Sequence, residues 1–493
     1  MALILKKEPR LGVKMEGFAY QVEAVEAVRN LEYAAIFHEQ GLGKTKIAVD
    51  LLLYWIEKGI VDTVLLVAKK GLVANWQREL KAHAYIRPLT LTGDRRRNFY
   101  VFNSPTRLIL THYEVVKAEK ERLQLFLKTR SVGIILDEAT KIKNPDSELT
   151  QAFLEVRSLF KRRVIMTGTP VANRPYDLWA QIRFLDGGVA LGNDYEDFRR
   201  KLDLSNDLGD DQAAQDAFEG VLRVIHDRLA PFAVRETKQG GVIQLPEKIV
   251  TRLTTEWEPR QFELYTQVRT ELRAAVVKNG IPTEDDSERA IKRLLRLVQI
   301  ASNPALVDES YTIIPGKWEP LEELVDTIIV NDEKCIIWTT FTDNADWLAR
   351  KLQHYSATKV HGKLSMEQRN RAVTLFLDDP DCKVLVATPG AAKEGLTLTV
   401  ANHVIFYDRG FSLDDYLQAQ DRIHRVSQVK TCHVYNLIMR DSIDEWIDVL
   451  LQAKRLAAQL AQGDISYDYY KSQMTYSYGD LIRKILGINK AKA

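Results

Sequence analysis

Nine short apolar runs, separated by segments of helix length, constrain the fold of this chain more than any single motif does. Five lie in the N-terminal half: "YAAIF" (33–37), "TVLLVA" (63–68), "RLILT" (107–111), "VGIIL" (132–136) and "RVIMT" (163–167). Four lie in the C-terminal half: "KCIIWTT" (334–340), "CKVLVAT" (382–388), "NHVIFYD" (402–408) and "CHVYNLI" (432–438). A strand covered on both faces has no polar side to show, so it reads as continuous apolar sequence. Helices between such strands make the neighbours parallel. Two sets predict an α/β protein with two parallel-sheet lobes, which suits 493 residues, too many for one ordinary core. No short fixed period is visible, which argues against a solenoid.

Between the sets the sequence changes character. "YEDFRRKLDLSNDLGDDQAAQDAFEGVL" reads as helical and acidic with a loop at 205–212, and "ERAIKRLLRLVQIASNP" has apolar residues at helical spacing and stops at a proline. "LAPFAVRETKQGGVIQLPEK" carries the glycine and proline breaks of a connector. The expected organisation is a first lobe over 1–235 with a helical insertion at about 190–235, and a connector over 236–250. A second lobe follows over 251–455 with an insertion at about 256–312, then a helical tail over 456–493.

Composition narrows the class. With 45% apolar and 28% charged residues and a net charge of +2, the chain has a globular balance. No apolar run approaches the length of about 18 residues needed for a membrane span, and "MALILKKEPR" is ordered wrongly for a secretory signal. Cys335, Cys382 and Cys432 are neither paired by spacing nor set as zinc ligands, which suggests a reducing compartment; Cys335 and Cys382 read as core. Near-neutral total charge still allows a basic groove, so nucleic-acid binding has to be argued locally.

The chemistry starts at 33–57, where the strand "YAAIF" runs into "HEQGLGKT" and then into a helix-like segment. A strand, a glycine loop and a helix aim backbone N–H groups at a phosphate. Gly41 and Gly43 permit the tight turn, Lys44 would reach the outer phosphates, and Thr45 would hold Mg²⁺. "IILDEAT" supplies the complement: Asp137 at a strand end for Mg²⁺, and Glu138 to orient or deprotonate the attacking water. Phosphoryl transfer also needs positive charge on the γ-phosphate. Arg422 and Arg425, three apart in "YLQAQDRIHRVSQ", would share a helix face; a solvated basic face is the alternative.

Taken in order, the motifs resemble the Swi/Snf-type ATPases of helicase superfamily 2, over residues 16 to about 440. "FAYQVEAV" resembles the segment whose glutamine, here Gln21, reads adenine. "LLVAKKGLVANWQREL", "LILTHYEVV", "DEATKIKNP" and "MTGTPVANRPYDLW" follow in the family's order. So do "LAPFAVRETK", "LPEK", "LRLVQIASNPALV", "VHGKLSMEQRNRAVTLF" and "ATPGAAKEGLTLTVANHVIFYDRGFSLDDYLQAQDRIHRVSQ". Two positions depart: Thr140 stands where the acidic box has histidine, and His38 where the loop begins with an acidic residue. Coupling would then run through Thr167, Thr169 or Gln418.

The resemblance implies two RecA-like lobes that close on ATP and Mg²⁺ and track along double-stranded DNA without obligatory unwinding. Gln21, Gln40, Gly41, Leu42, Gly43, Lys44, Thr45 and Gly395 would line the nucleotide; Lys44, Asp137, Glu138, Gln418, Arg422 and Arg425 would serve hydrolysis. By motif position, DNA phosphates would meet Lys69, Lys70, Asn75, Trp76, Thr111, His112, Lys141, Asn144, Lys363, Thr388 and Lys393. An ordinary solvated charge accounts for each lysine equally well. "DRRRNF" (94–99) reads as a plain solvated loop ahead of a DNA contact, and "YDYYKSQMTYSYGDL" (467–481) as a helix with its rings on the core. A strand-separating helicase and an ATP-gated adaptor with little turnover are the competing readings. The compact make-up resembles bacterial or phage motors, which implies cytoplasm and nucleoid.

Overall fold

The computed structural model describes residue 5 and residues 7–171, 173–203, 212–241, 245–279, 287–391, 397–425 and 427–473. The chain divides into two compact units: 1–202 with 221–243 and 460–464, and 203–220 with 244–459 and 465–493. Within the described residues no helix is long and apolar enough to cross a membrane.

The first unit is built on a seven-stranded sheet. Its strands are β1 (Tyr33–Ile36), β2 (Thr63–Ala68), β3 (Leu89–Thr90), β4 (Leu108–His112), β5 (Val132–Asp137), β6 (Arg162–Met166) and β7 (Ala233–Val234). They lie in the order β3-β4-β2-β5-β6-β1-β7, every neighbouring pair parallel. The helix Lys44–Glu57 is buried almost all round: Ile47, Leu51, Leu52 and Trp55 meet Ile36, Val64, Leu66 and Met166 in one core. Each such side chain removed from water contributes about 1.5–3 kcal/mol.

The second unit holds a six-stranded sheet of β8 (Lys248–Thr255), β9 (Cys335–Trp338), β10 (Thr358–Val360), β11 (Val384–Ala387), β12 (His403–Phe406) and β13 (Cys432–Met439). The order is β10-β11-β9-β12-β13-β8, again all parallel. Alternate residues of one strand enter two different cores. Ile336, Trp338, Leu385 and Val404 face one way; Cys335, Ile337, Val384 and Ile405 face the other. That is the physical origin of the unbroken apolar runs.

The nine expected strands are present, and the two-sheet α/β class is met. Four strands carry no such signal. β3, β7 and β10 span at most three residues, too short for a pattern to register. β8, "KIVTRLTT", is an edge strand with Val250 half exposed, so polar residues interrupt it. β7 and β8 bracket much of the segment read as connector. Two further readings need revision or limits. "DRRRNF" is not a loop: Asp94 accepts hydrogen bonds from the Arg96 and Arg97 N–H groups and caps a helix over Arg95–Asn103. The loop expected at 205–212 falls almost wholly outside the described residues. Cys335, Cys382 and Cys432 are all buried, and burial pushes the Cys335 thiol up to about 12. In the tail, Tyr467–Gln473 is helical with Tyr470 buried; residues 474–481 of the aromatic stretch lie outside the described residues.

Candidate functional site

β1 ends at Ile36 and the helix Lys44–Glu57 starts eight residues on, with the glycine loop between. Gly41 and Gly43 take φ of 87° and 70°, the left-handed region that side chains disfavour. A Cβ on Gly43 would lie 2.2 Å from Gln21 Nε2, so a larger residue there would be strained and would displace Gln21. Gln21 itself is buried; its Nε2 donates to the Leu42 carbonyl at 3.2 Å and its Oε1 accepts from Phe18 N at 3.0 Å. Tyr20 Oη donates to the same Leu42 carbonyl at 3.1 Å. Gln21 therefore braces the loop from behind. Lys44 is buried in the helix's first turn, its Nζ donating to the carbonyls of His38 at 2.9 Å and Glu39 at 3.3 Å. Thr45, next in that turn, is half-buried.

The acidic turn stands at the end of β5. Glu138 has φ of 54°, a left-handed conformation that costs a non-glycine residue about 1–3 kcal/mol and clusters at functional sites. Gln40 Nε2 donates to Glu138 Oε1 at 3.0 Å, tying the phosphate loop to the acidic turn, and Lys69 Nζ lies 3.9 Å from Oε2. Gly168, just after β6, lies against the Gln40 side chain, and Thr169 N donates to the buried Thr167 hydroxyl at 3.2 Å. Thus the carboxyl ends of β1, β5 and β6 bring Gln40, Asp137, Glu138 and the Thr-Gly-Thr turn together, where parallel sheets bind ligands. Burial and the Glu138 charge push the Asp137 carboxyl up to about 6, against the pull of Trp76, Lys44 and Lys69. Thr140 sits half-buried in the single turn Ala139–Ile142.

Trp76 is 2% exposed, and its indole Nε1 donates to Asp137 Oδ2 at 2.8 Å, so it orients a carboxylate inside the unit. Thr111 is buried with its hydroxyl on the Leu91 carbonyl at 3.4 Å, and Thr388 is buried at a strand end. Lys70 and Asn144 are exposed, and Asn144 Oδ1 accepts from Asp146 N at 3.0 Å. Asn75 is half-buried, with Arg78 Nη2 at 3.4 Å from its Oδ1. Lys141 pairs with Glu114 at 3.1 Å, as His112 does at 2.8 Å, and exposed Lys363 pairs with Asp343. Lys393 and Gly395 lie outside the described residues.

The second unit presents its arginines differently from the expectation. The helix Leu413–Gln420 carries Gln418, which is buried and donates from Nε2 to Asp414 Oδ1 at 2.7 Å. Arg422 and Arg425 follow that helix in an irregular turn and do not share a helix face. Tertiary hydrogen bonds hold this turn out of helix. Gln428 Nε2 donates to Ala401 O at 2.9 Å and Ile423 O at 3.2 Å, Leu398 N donates to Arg422 O at 3.0 Å, and His424 Nε2 is 2.9 Å from Pro246 O. Arg422 is buried; Arg425 Nε donates to Asp421 O and its Nη1 to Thr397 Oγ1, both at 2.8 Å. The pairing of Gln40 and of Lys69 with Glu138 has no sequence signal, because the partners lie tens of residues apart.

The chain is similar to several known proteins. Residues 316–427 match the helicase conserved C-terminal domain. The chain is 29% identical over 448 residues to a putative ATP-dependent helicase/translocase of Bacillus subtilis, covering 87% of this chain and 47% of that protein. It is 26% identical over 456 residues to an ISWI chromatin-remodeling complex ATPase of Saccharomyces cerevisiae, covering 87% of this chain and 39% of that protein. The chain spans about half, 42–47%, of the length of the first curated relatives it matches. Among solved structures, the Sulfolobus solfataricus SWI2/SNF2 ATPase core in complex with dsDNA superposes at a TM-score of 0.42 with 25% identity, over 98% of this chain and 99% of that one. Residues 20–306, more than half of the chain, match the SNF2-related domain, and the chain belongs to that family.

Proposed function

We propose that the chain is a DNA-dependent ATPase that translocates along double-stranded DNA, remodelling DNA or protein–DNA complexes without obligatory strand separation. The observation that carries this reading is the Gln40–Glu138 hydrogen bond at 3.0 Å, which joins a phosphate loop and a hydrolytic carboxylate into one site. The residues present fit ATP and Mg²⁺. A loop of left-handed glycines opens a helix N-terminus, and a carboxyl that burial pushes up to about 6 gains by facing a cation. Thr45 and Asp137 would hold Mg²⁺, which when bound neutralises phosphate charge. Lys44 binds the outer phosphates, Glu138 orients the attacking water, and Trp76 keeps Asp137 turned to its task. Arg422 and Arg425 would stabilise the charge that develops on the γ-phosphate, by up to about 10³–10⁵ in rate.

DNA as the polymer is supported by the order of motifs and by relatives named as helicase/translocase and chromatin-remodeling ATPases. Phosphate contacts would be sequence-independent and salt-sensitive, and Lys69, Lys70, Asn75, Trp76, Thr111, His112, Lys141, Asn144, Lys363, Thr388 and Lys393 are their candidates. The test is ATP hydrolysis with no polymer, duplex DNA, single-stranded DNA and RNA. Strong stimulation by duplex, lost in Lys44→Ala and Glu138→Gln, is the expected result. Stimulation by single strands alone would favour the strand-separating helicase. Slow turnover indifferent to Glu138→Gln would favour the adaptor.

A further inference from the structure

The segment Phe232–Lys238 runs beside the strand that feeds the phosphate loop. Ala35 N donates to Phe232 O, Phe37 N to Val234 O and Glu39 N to Glu236 O, at 2.8–2.9 Å. Lys238 N then donates to the Glu39 carboxylate at 2.8 Å. This ladder extends the pairing of β1 and β7 to the residue before Gln40. Arg235 sits in the middle of it. Its Nη1 donates to the Phe37 carbonyl at 2.7 Å, one residue before His38, whose own carbonyl receives Lys44.

The rest of the Arg235 guanidinium faces Asp464. Nε donates to Asp464 Oδ1 at 2.6 Å and Nη2 to Oδ2 at 2.5 Å, a bidentate pair whose side chains are only 18% and 14% exposed. Such pairs fix orientation as well as charge. Asp464 comes from far along the chain. The helix Ile443–Ala461 packs Trp446, Ile447 and Leu450 into a core of the second unit, while residues 460–464 belong to the first. The chain turns at Gly463, whose φ is 75° and where a Cβ would lie 2.5 Å from His226 Nδ1. The turn therefore requires glycine. At the loop's own start His38 is a buried imidazole, and the Glu39 carboxylate accepts from Lys238 N.

We propose that Asp464 is a positioning residue for the nucleotide site. By clamping Arg235 onto the Phe37 carbonyl it holds the start of the phosphate loop, and with it the backbone that seats Lys44. This rests on the nucleotide-binding reading above. The test measures mant-ATP affinity, duplex-DNA affinity and melting temperature in the full chain, for Asp464→Asn, Asp464→Glu, Arg235→Gln and the Asp464→Asn/Arg235→Gln double variant, with Lys44→Ala as control. Asp464→Asn should weaken mant-ATP by about tenfold with DNA affinity unchanged within about twofold, as expected of one lost charge-assisted clamp. Asp464→Glu should recover most of that loss, and the double variant should be no worse than Arg235→Gln alone.

Wild-type mant-ATP affinity in Asp464→Asn would overturn the proposal. So would Asp464→Glu failing as badly as Asp464→Asn with a matching fall in melting temperature, which marks a merely structural pair. Absence of any Lys44-dependent mant-ATP binding in the wild type would remove the nucleotide-binding reading, and this inference with it.

Discussion

In the first unit the candidate site residues stand where regular structure puts them, whereas in the second the two arginines hang from irregular backbone. Lys44 opens a helix eight residues after β1, Asp137 closes a strand and Glu138 follows it. Arg422 and Arg425 lie beyond the end of a helix at Gln420, in a turn whose shape is imposed by Gln428 and by the backbone of Leu398, Thr399 and Ala401. The difference teaches that position and posture are separate problems. A strand end specifies both together, because the sheet fixes where the side chain sits and which way the backbone leaves. An irregular turn specifies posture only through partners elsewhere in the chain.

The sharpest way to break this comparison is to remove the charges in turn. Lys44→Ala should abolish both mant-ATP binding and hydrolysis. Arg422→Ala or Arg425→Ala should slow turnover by up to about 10³-fold and leave mant-ATP affinity within about threefold, as expected of groups that act on transition-state charge. Equal loss of affinity from the arginines would erase the distinction. Next in size is Gln428→Leu, which strands buried carbonyls at Ala401 and Ile423 and should cost about 2–3 kcal/mol of stability. Denaturant titration checks it; an unchanged midpoint would mean that the turn holds itself.

The smallest expected effect is a pH slope in the first unit. Burial, with Lys44 and Arg235 close by, pushes the His38 imidazole down to about 4; Tyr20 stacks near it at 6.1 Å. The folded state therefore holds His38 neutral where the unfolded chain protonates it, so stability falls as pH drops from its ordinary range towards the folded value. From pH 7.5 to 6 the loss should be about 1 kcal/mol. His38→Phe should flatten that slope; a slope identical to the wild type would show that the imidazole is not the titrating group.

How much was legible follows the same division. Parallel strands announce themselves because both faces are buried, so all nine longer runs were readable, and the glycine loop and acidic turn came with them. β8 escaped because an edge strand keeps polar residues, and β3 and β7 because two residues form no pattern. Motif order marks the position of Trp76 but not its direction; the structure turns its indole inward to Asp137. The arginine pair was misread because spacing of three suggests a helix only if the helix continues, and nothing local to "DRIHR" says that Gln428 will claim its carbonyls. Asp464 could not have been paired with Arg235 from sequence at all, since 229 residues separate them.

The measurement that tests the central claim most directly is displacement of a third DNA strand from a duplex track. A motor that moves along the duplex should eject that strand in the presence of ATP, fail to do so with Lys44→Ala, and leave the two track strands paired. Duplex-stimulated hydrolysis without displacement would contradict translocation, and separation of the track strands would contradict movement without obligatory unwinding.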